Sequence, residues 1–133
     1  MKSPYIIDFQ HTGSAEFGFL DIAEVGKNLP FEVKRMFWTH SVPDGVIRGH
    51  HAHKATEQIL IAIEGIIKVT TEMPDGQISK FELTSSTQGI YLPPHVWHHM
   101  EYYDKAVQIV FCSALFAESD YLREYKDFKE YYK

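Results

Sequence analysis

Residues 45–65 read GVIRGHHAHKATEQILIAIEG, and the fold is decided within them. In an extended chain, side chains two apart share a face, so His51 and His53 project together while His50 and Ala52 point the other way. Parity extends that face to Glu57 and then to Ile59, Ile61 and Ile63, which places two imidazoles and a carboxylate inside a β structure. A second histidine cluster follows in GIYLPPHVWHHM, residues 89–100. Pro93 and Pro94 stop the strand that begins at Gly89, and the chain resumes near Trp97. Alternation then sends His98 or His99 inward, but not both. These segments hold six of the eight histidines, and the remaining two, His11 and His40, read as ordinary surface or satisfied polar residues.

Outward from these motifs, most of the chain reads as strand: YIIDF (5–9), FGFLDIAEV (17–25), VKRMFWTH (33–40), QILIAIEG (58–65), IIKVTTE (66–72), KFELT (80–84), GIYL (89–92) and AVQIVFC (106–112). Turn chemistry separates them at Gly26–Asn28, Pro43-Asp44-Gly45, Glu64-Gly65, Pro74-Asp75-Gly76 and Tyr103-Asp104-Lys105. Short strands with regular turn signals predict an all-β sandwich or barrel over about residues 5–113. The tail ESDYLREYKDFKEYYK, from Glu118, places Tyr121, Leu122, Tyr125, Phe128 and Tyr132 on one helical face, which predicts a helix over about 118–132. Ser119 serves as its N-cap, with Asp120 in the first turn. A chain of 133 residues reads as one domain, 1–133.

Composition narrows the function. Thirteen basic against 18 acidic residues, a net charge of −5, exclude a broad surface for nucleic acid or anionic membrane. The longest apolar runs are far short of the ~20 residues a spanning helix needs. MKSPYIIDFQ carries Asp8 and no long apolar core, so no signal peptide is expected and the location is cytoplasmic. The single cysteine, Cys112, lies in the apolar run VQIVFCSALF and reads as a buried, inert thiol.

The segment Gly45, His51, His53, Glu57, Gly65 resembles the first motif of the cupin superfamily, with one extra residue in the last gap. Pro93 and His98 keep the separation of the second motif, although His95 stands where that motif has glycine. The strings RGHHAHK (48–54), EQIL (57–60), the P-x-x-V-W-H segment and DYLREYKDF (120–128) are similar to one cupin family, the nucleotide-sugar 3,4-ketoisomerases. The likeness runs from about Phe31 to Tyr131. It implies a single-domain cupin, a double-stranded β-helix or jelly-roll barrel with a C-terminal helix. The implied activity moves the ketone of a dTDP-4-keto-6-deoxyhexose from C4 to C3, in deoxyaminosugar biosynthesis. His51 and His53 become the acid/base pair, with no metal and no cofactor. Where the family tends to have tyrosines after a Lys-Arg pair, this chain has Met36-Phe37-Trp38.

The diphosphate of such a substrate needs cations. Arg48 is the first candidate, provided that a bulge at Gly49 re-aims it toward the histidine face. Arg35 is a second, and Trp38 and Tyr91 are candidates for stacking on the base. Glu57 and His98 complete the substrate-binding set. The resemblance also implies a homodimer that exchanges N-terminal strands, with Gly26–Pro30 as hinge. Two other readings stay open at this stage: a metal-dependent cupin enzyme using His51, His53, Glu57 and His98, and a non-catalytic sugar-binding cupin.

Overall fold

The computed structural model describes residues 1–133. Ten strands run in chain order: β1 Tyr5–Asp8, β2 Gln10–Ser14, β3 Gly18–Ile22, β4 Arg35–Thr39, β5 Ile47–His53, β6 Gln58–Glu72, β7 Ile78–Leu83, β8 Gln88–Leu92, β9 Trp97–Cys112 and β10 Tyr121–Leu122. A 3-10 turn at Glu118–Asp120 precedes β10, and one α-helix, α1, spans Tyr125–Tyr131. No helix is long and apolar enough to cross a membrane.

The barrel is organised by its two long strands, β6 and β9, which pair antiparallel along most of their lengths. The first part of β6 also pairs with β8, and its second part with β7. Similarly, the first part of β9 pairs with β5 and its last part with β4. Each long strand therefore serves two neighbourhoods, which wraps the sheet into the jelly roll expected from the sequence. The bends lie where turns were predicted. Glu64-Gly65 and Tyr103-Asp104-Lys105 do not end strands; they are irregularities in continuous ones, with register shifts on both sides of Glu64. Gly65 takes φ 74°, and a Cβ there would stand 2.6 Å from the backbone of Ala106, so the strands approach more closely than any side chain allows. Opposite it, Asp104 and Lys105 also adopt positive φ. Turn-forming residues in a strand that keeps its partner make a bulge, not a reversal.

Two apolar clusters fill the barrel. The larger includes Leu60, Ile67, Leu83, Ile90, Tyr102 and Val110; the other gathers Ile7, Phe9, Phe31, Ile59, Ile61 and Tyr91. Adjacent β6 residues fall in different clusters because this part of the strand is covered on both faces. Cys112 is fully buried, as the sequence predicts, and burial raises its thiol pKa.

The tail departs from its expected form. Tyr121 and Leu122 are not helical: they pair as a short strand with His53 and Ala52 of β5. Ser119 caps nothing, and α1 begins after Glu124 without a side-chain cap. The reason lies at Asp120, whose carboxylate is held by side-chain and backbone donors of the β5–β6 connection. The helix itself packs as expected. Phe128 is fully buried against Ala52 and Leu122, with the Trp97 ring 5.6 Å away.

The N-terminal segments divide. β1 pairs with β8 and places Ile7 in the core. β2 and β3 pair only with each other, in a separate two-stranded sheet.

Candidate active site

Gly49 sets the geometry of the first motif. It has φ +102°, and its Cα lies so close to β9 that a Cβ would meet the Cα of His99 at 3.0 Å. His50 follows with φ +55°, and the pairing slips from Gly49↔His99 to His51↔His98. This bulge puts Arg48 and His51 on the same cavity. The cavity, about 90 Å³, is walled by His51 and Arg48 from β5, His98 from β9, Gln58 and Leu60 from β6, Phe37 and Thr39 from β4, and Tyr121 from β10.

Three imidazoles converge here. The His51 ring lies 4.7 Å from that of His98 and 5.1 Å from that of His53. His99 turns outward and stands edge-on to His50, so His98 is the inward member of its pair. His98 Nδ1 donates to the carbonyl of Val96 at 3.1 Å, leaving Nε2 as its basic nitrogen. His53 Nδ1 donates to Asp120 Oδ2 at 2.9 Å, and its Nε2 is buried without a partner. Asp120 also accepts from the Ala55 N–H at 2.7 Å and the Thr56 hydroxyl at 2.6 Å. Burial opposes its charge, but the Thr56, His53 and Ala55 hydrogen bonds outweigh that and hold its pKa below the usual carboxylate value.

All three rings are neutral near pH 7. Burial, then the neighbouring His53, lowers His51 to about 4. Burial puts His98 well below its ordinary value. His53 is lowered by burial too, with Asp120 opposing. An unfolded chain protonates its histidines near pH 6.5, whereas this native site does not. The unfolded state therefore binds more protons in the window from about 6.5 to about 4 for His51, and stability falls as pH drops through it. Within that window the loss approaches ~1.4 kcal/mol per pH unit for His51. Urea unfolding should show a lower midpoint at pH 5 than at pH 7; equal midpoints would mean that the native rings are charged.

Several expected site residues lie elsewhere. Glu57 does not join the histidines: its carboxylate accepts from the Tyr91 hydroxyl at 2.5 Å and lies 3.8 Å from Lys2. Parity fails because β5 ends at His53 and the connection through Lys54–Thr56 is tied to Asp120, so Gln58 and Leu60 inherit the cavity face. The four-residue metal set of His51, His53, Glu57 and His98 is consequently not assembled. Tyr91 is buried in the second core cluster, 4.9 Å from the Tyr5 ring. Trp38 is 62% exposed on the outer side of β4, where alternation puts Phe37 and Thr39 inward in its place. Arg35 donates to the Ala114 carbonyl and lies against Phe37 and Phe116, outside the cavity wall. His53 itself is buried against His51 and Tyr121 and is not among the residues that wall the cavity.

The sequence reading missed Asp120 and Tyr121 as site residues. The Tyr121 ring lies 4.4 Å from that of His53 and 5.2 Å from that of His51. Arg123 covers it at 4.1 Å and pairs with Glu118, and Phe116 flanks it. Their signal was visible only as part of the family-like string DYLREY, where they counted as helix.

Comparison with known proteins places the chain among relatives. A TDP-4-oxo-6-deoxy-alpha-D-glucose-3,4-oxoisomerase of Aneurinibacillus thermoaerophilus is 37% identical over 116 residues, 86% of this chain and 82% of that one. The crystal structure of QdtA, a sugar 3,4-ketoisomerase of Thermoanaerobacterium thermosaccharolyticum in complex with TDP, superposes with a TM-score of 0.90 at 29% identity, covering 96% of this chain and 93% of that chain. WlaRA of Campylobacter jejuni, a TDP-fucose-3,4-ketoisomerase, gives a TM-score of 0.90 at 27% identity over 99% and 97% of the two chains. The family described as FdtA, WxcM-like C-terminal, matches residues 2–133. With that match and these relatives, the chain belongs to the FdtA family of cupin-fold proteins, in keeping with the ketoisomerase resemblance of RGHHAHK, EQIL and DYLREYKDF.

Proposed function

We propose that this protein is a sugar-nucleotide 3,4-ketoisomerase, moving the ketone of a TDP-4-keto-6-deoxyhexose from C4 to C3. The observation that carries the reading is the pair His51 and His53: two adjacent neutral imidazoles, one facing a cavity that an arginine also enters. The C4 carbonyl acidifies the C3 hydrogen. His51 takes that proton, the C–H electrons form the C3=C4 double bond, and the C4 oxygen becomes the oxyanion of an enediol. His53 takes the C3 hydroxyl proton and hands it to the C4 oxygen, which moves the negative charge to the C3 oxygen. The electrons on that oxygen re-form the carbonyl at C3, and C4 takes the proton held by His51. Arg48 meets the diphosphate, for which its planar fork is suited. Incubation with TDP-4-keto-6-deoxyglucose in deuterated water, followed by NMR, tests this: the ketone should migrate to C3 with deuterium entering at carbon. A substrate that binds and remains unchanged would reject the reading.

The reading includes a homodimer, acting in the cytoplasm, whose copies exchange the β2–β3 hairpin. A lone two-stranded hairpin is marginal in water. This one also exposes Phe17, Phe19 and Leu20, Phe17 by 87%. The outer face of β4 leaves Met36 and Trp38 similarly exposed, on a strand paired on one side only. A hairpin from a second copy is the cover that we assign to these apolar surfaces. Light scattering at micromolar concentration should give twice the 15.4 kDa chain mass, and a monomer mass would reject the dimer.

A further inference from the structure

We infer that Asp120 is a positioning residue for the oxygen-to-oxygen proton transfer, acting through His53 as the carboxylate that holds its proton on Nδ1. The inference rests on the ketoisomerase reading of this site. An ionised carboxylate only accepts hydrogen bonds, so the 2.9 Å contact with Asp120 Oδ2 requires the His53 proton to be on Nδ1. Nε2, on the other side of the ring, is then a lone pair. That atom is buried and has no partner in the protein, although buried polar atoms are normally satisfied. On the ketoisomerase reading, this nitrogen, kept basic and unpaired beside the cavity-lining His51, is the one that a substrate hydroxyl would engage.

The carboxylate is itself built in. Its two oxygens accept from the Ala55 N–H and the Thr56 hydroxyl as well as from the ring, and the Asp120 carbonyl accepts from the Lys54 N–H at 2.8 Å. Pairing of Tyr121 with His53 delivers Asp120 to this position. Without the carboxylate, either ring nitrogen can carry the proton and the ring can turn. Other groups face His53: Arg35 from β4, His51 from β5, His98 from β9, Tyr121 from β10, and Arg123 just beyond it. The arginines and His51 are cationic or neutral, so none of them replaces the negative charge of Asp120.

The test compares wild type with Asp120→Asn by two readouts. In deuterated water, His51 exchanges the C3 hydrogen whether or not the oxygens then trade their proton. Asp120→Asn should therefore slow ketone migration by roughly 10²-fold or more while deuterium entry at C3 falls much less. The ratio of exchange to migration rises, which partial unfolding cannot cause because it lowers both rates together. Parallel losses, or no loss, would overturn the inference. Nitrogen-15 NMR of the imidazoles supplies the second readout, independent of turnover and of whether Asp120→Asn folds. Wild-type His53 should carry its proton on Nδ1 alone at neutral pH, and a proton on Nε2 would overturn the inference. Wild-type enzyme with neither exchange nor migration would instead count against the ketoisomerase reading, and the nitrogen-15 result would still judge Asp120.

Discussion

Replacing His51 by asparagine should leave the fold intact and reduce turnover by at least ~10²–10⁴-fold, the range that a positioned general base contributes. Asparagine is close in size and still polar, so the bulge at Gly49 and the pairing of His51 with His98 have no reason to change. Asparagine has no basic nitrogen near neutrality. The other imidazoles nearby are those of buried His98 and of His53, to which the proposed mechanism gives the oxygen-bound proton. The loss should appear in kcat, with TDP affinity by calorimetry nearly unchanged because Arg48 and the remaining wall persist. His53→Asn should be impaired less. Near-wild-type rates for a folded His51→Asn protein would remove the mechanism.

Deleting residues 1–25 should abolish folding and not merely dissociate subunits. The deletion removes β1, which covers β8, and takes Ile7 and Phe9 out of the second core cluster. Phe9 is the residue that lies against Gly89, within 3.0 Å of where its Cβ would be. Loss of one large buried apolar side chain costs ~2–5 kcal/mol. Two such losses, with the β1–β8 hydrogen bonds, consume most of the ~5–15 kcal/mol by which a domain is stable. Circular dichroism of the truncated protein should show no cooperative thermal transition. A sharp transition with native-like strand signal would show that the barrel closes without its N-terminal strand.

The parts of this structure that were legible in the sequence are those governed by local rules. Two-residue periodicity marked the His51 and His53 face, and a glycine before the pair marked the bulge that brings Arg48 to it. Alternation excluded one of His98 and His99, and the spacing of Tyr125, Phe128 and Tyr132 found the helix that packs on the barrel. What was not legible depends on partners distant in the chain. Gly65 signals a reversal when read alone, but with Ala106 opposite it signals a bend in a strand that continues. Counting by twos from His53 reached Glu57 only because nothing in the sequence shows that Lys54–Thr56 leaves the strand. Asp120 satisfies every local rule for a first helical turn. Its carboxylate lies instead on an imidazole 67 residues earlier, and no periodicity records that contact.

The strand that delivers Asp120 has a consequence for how the protein comes into being. Strands β1 to β9 are complete by Cys112, and the 3-10 turn and β10 follow it in the chain. Translation runs from the N-terminus onward, so both histidines are made before the carboxylate that His53 donates to and before Tyr121, which closes one wall of the cavity. A chain stopped at Cys112 would hold nine strands and still lack that wall, that carboxylate and the buried Leu122 and Phe128. The surroundings of the first histidine motif are therefore furnished by the segment made after the long strands.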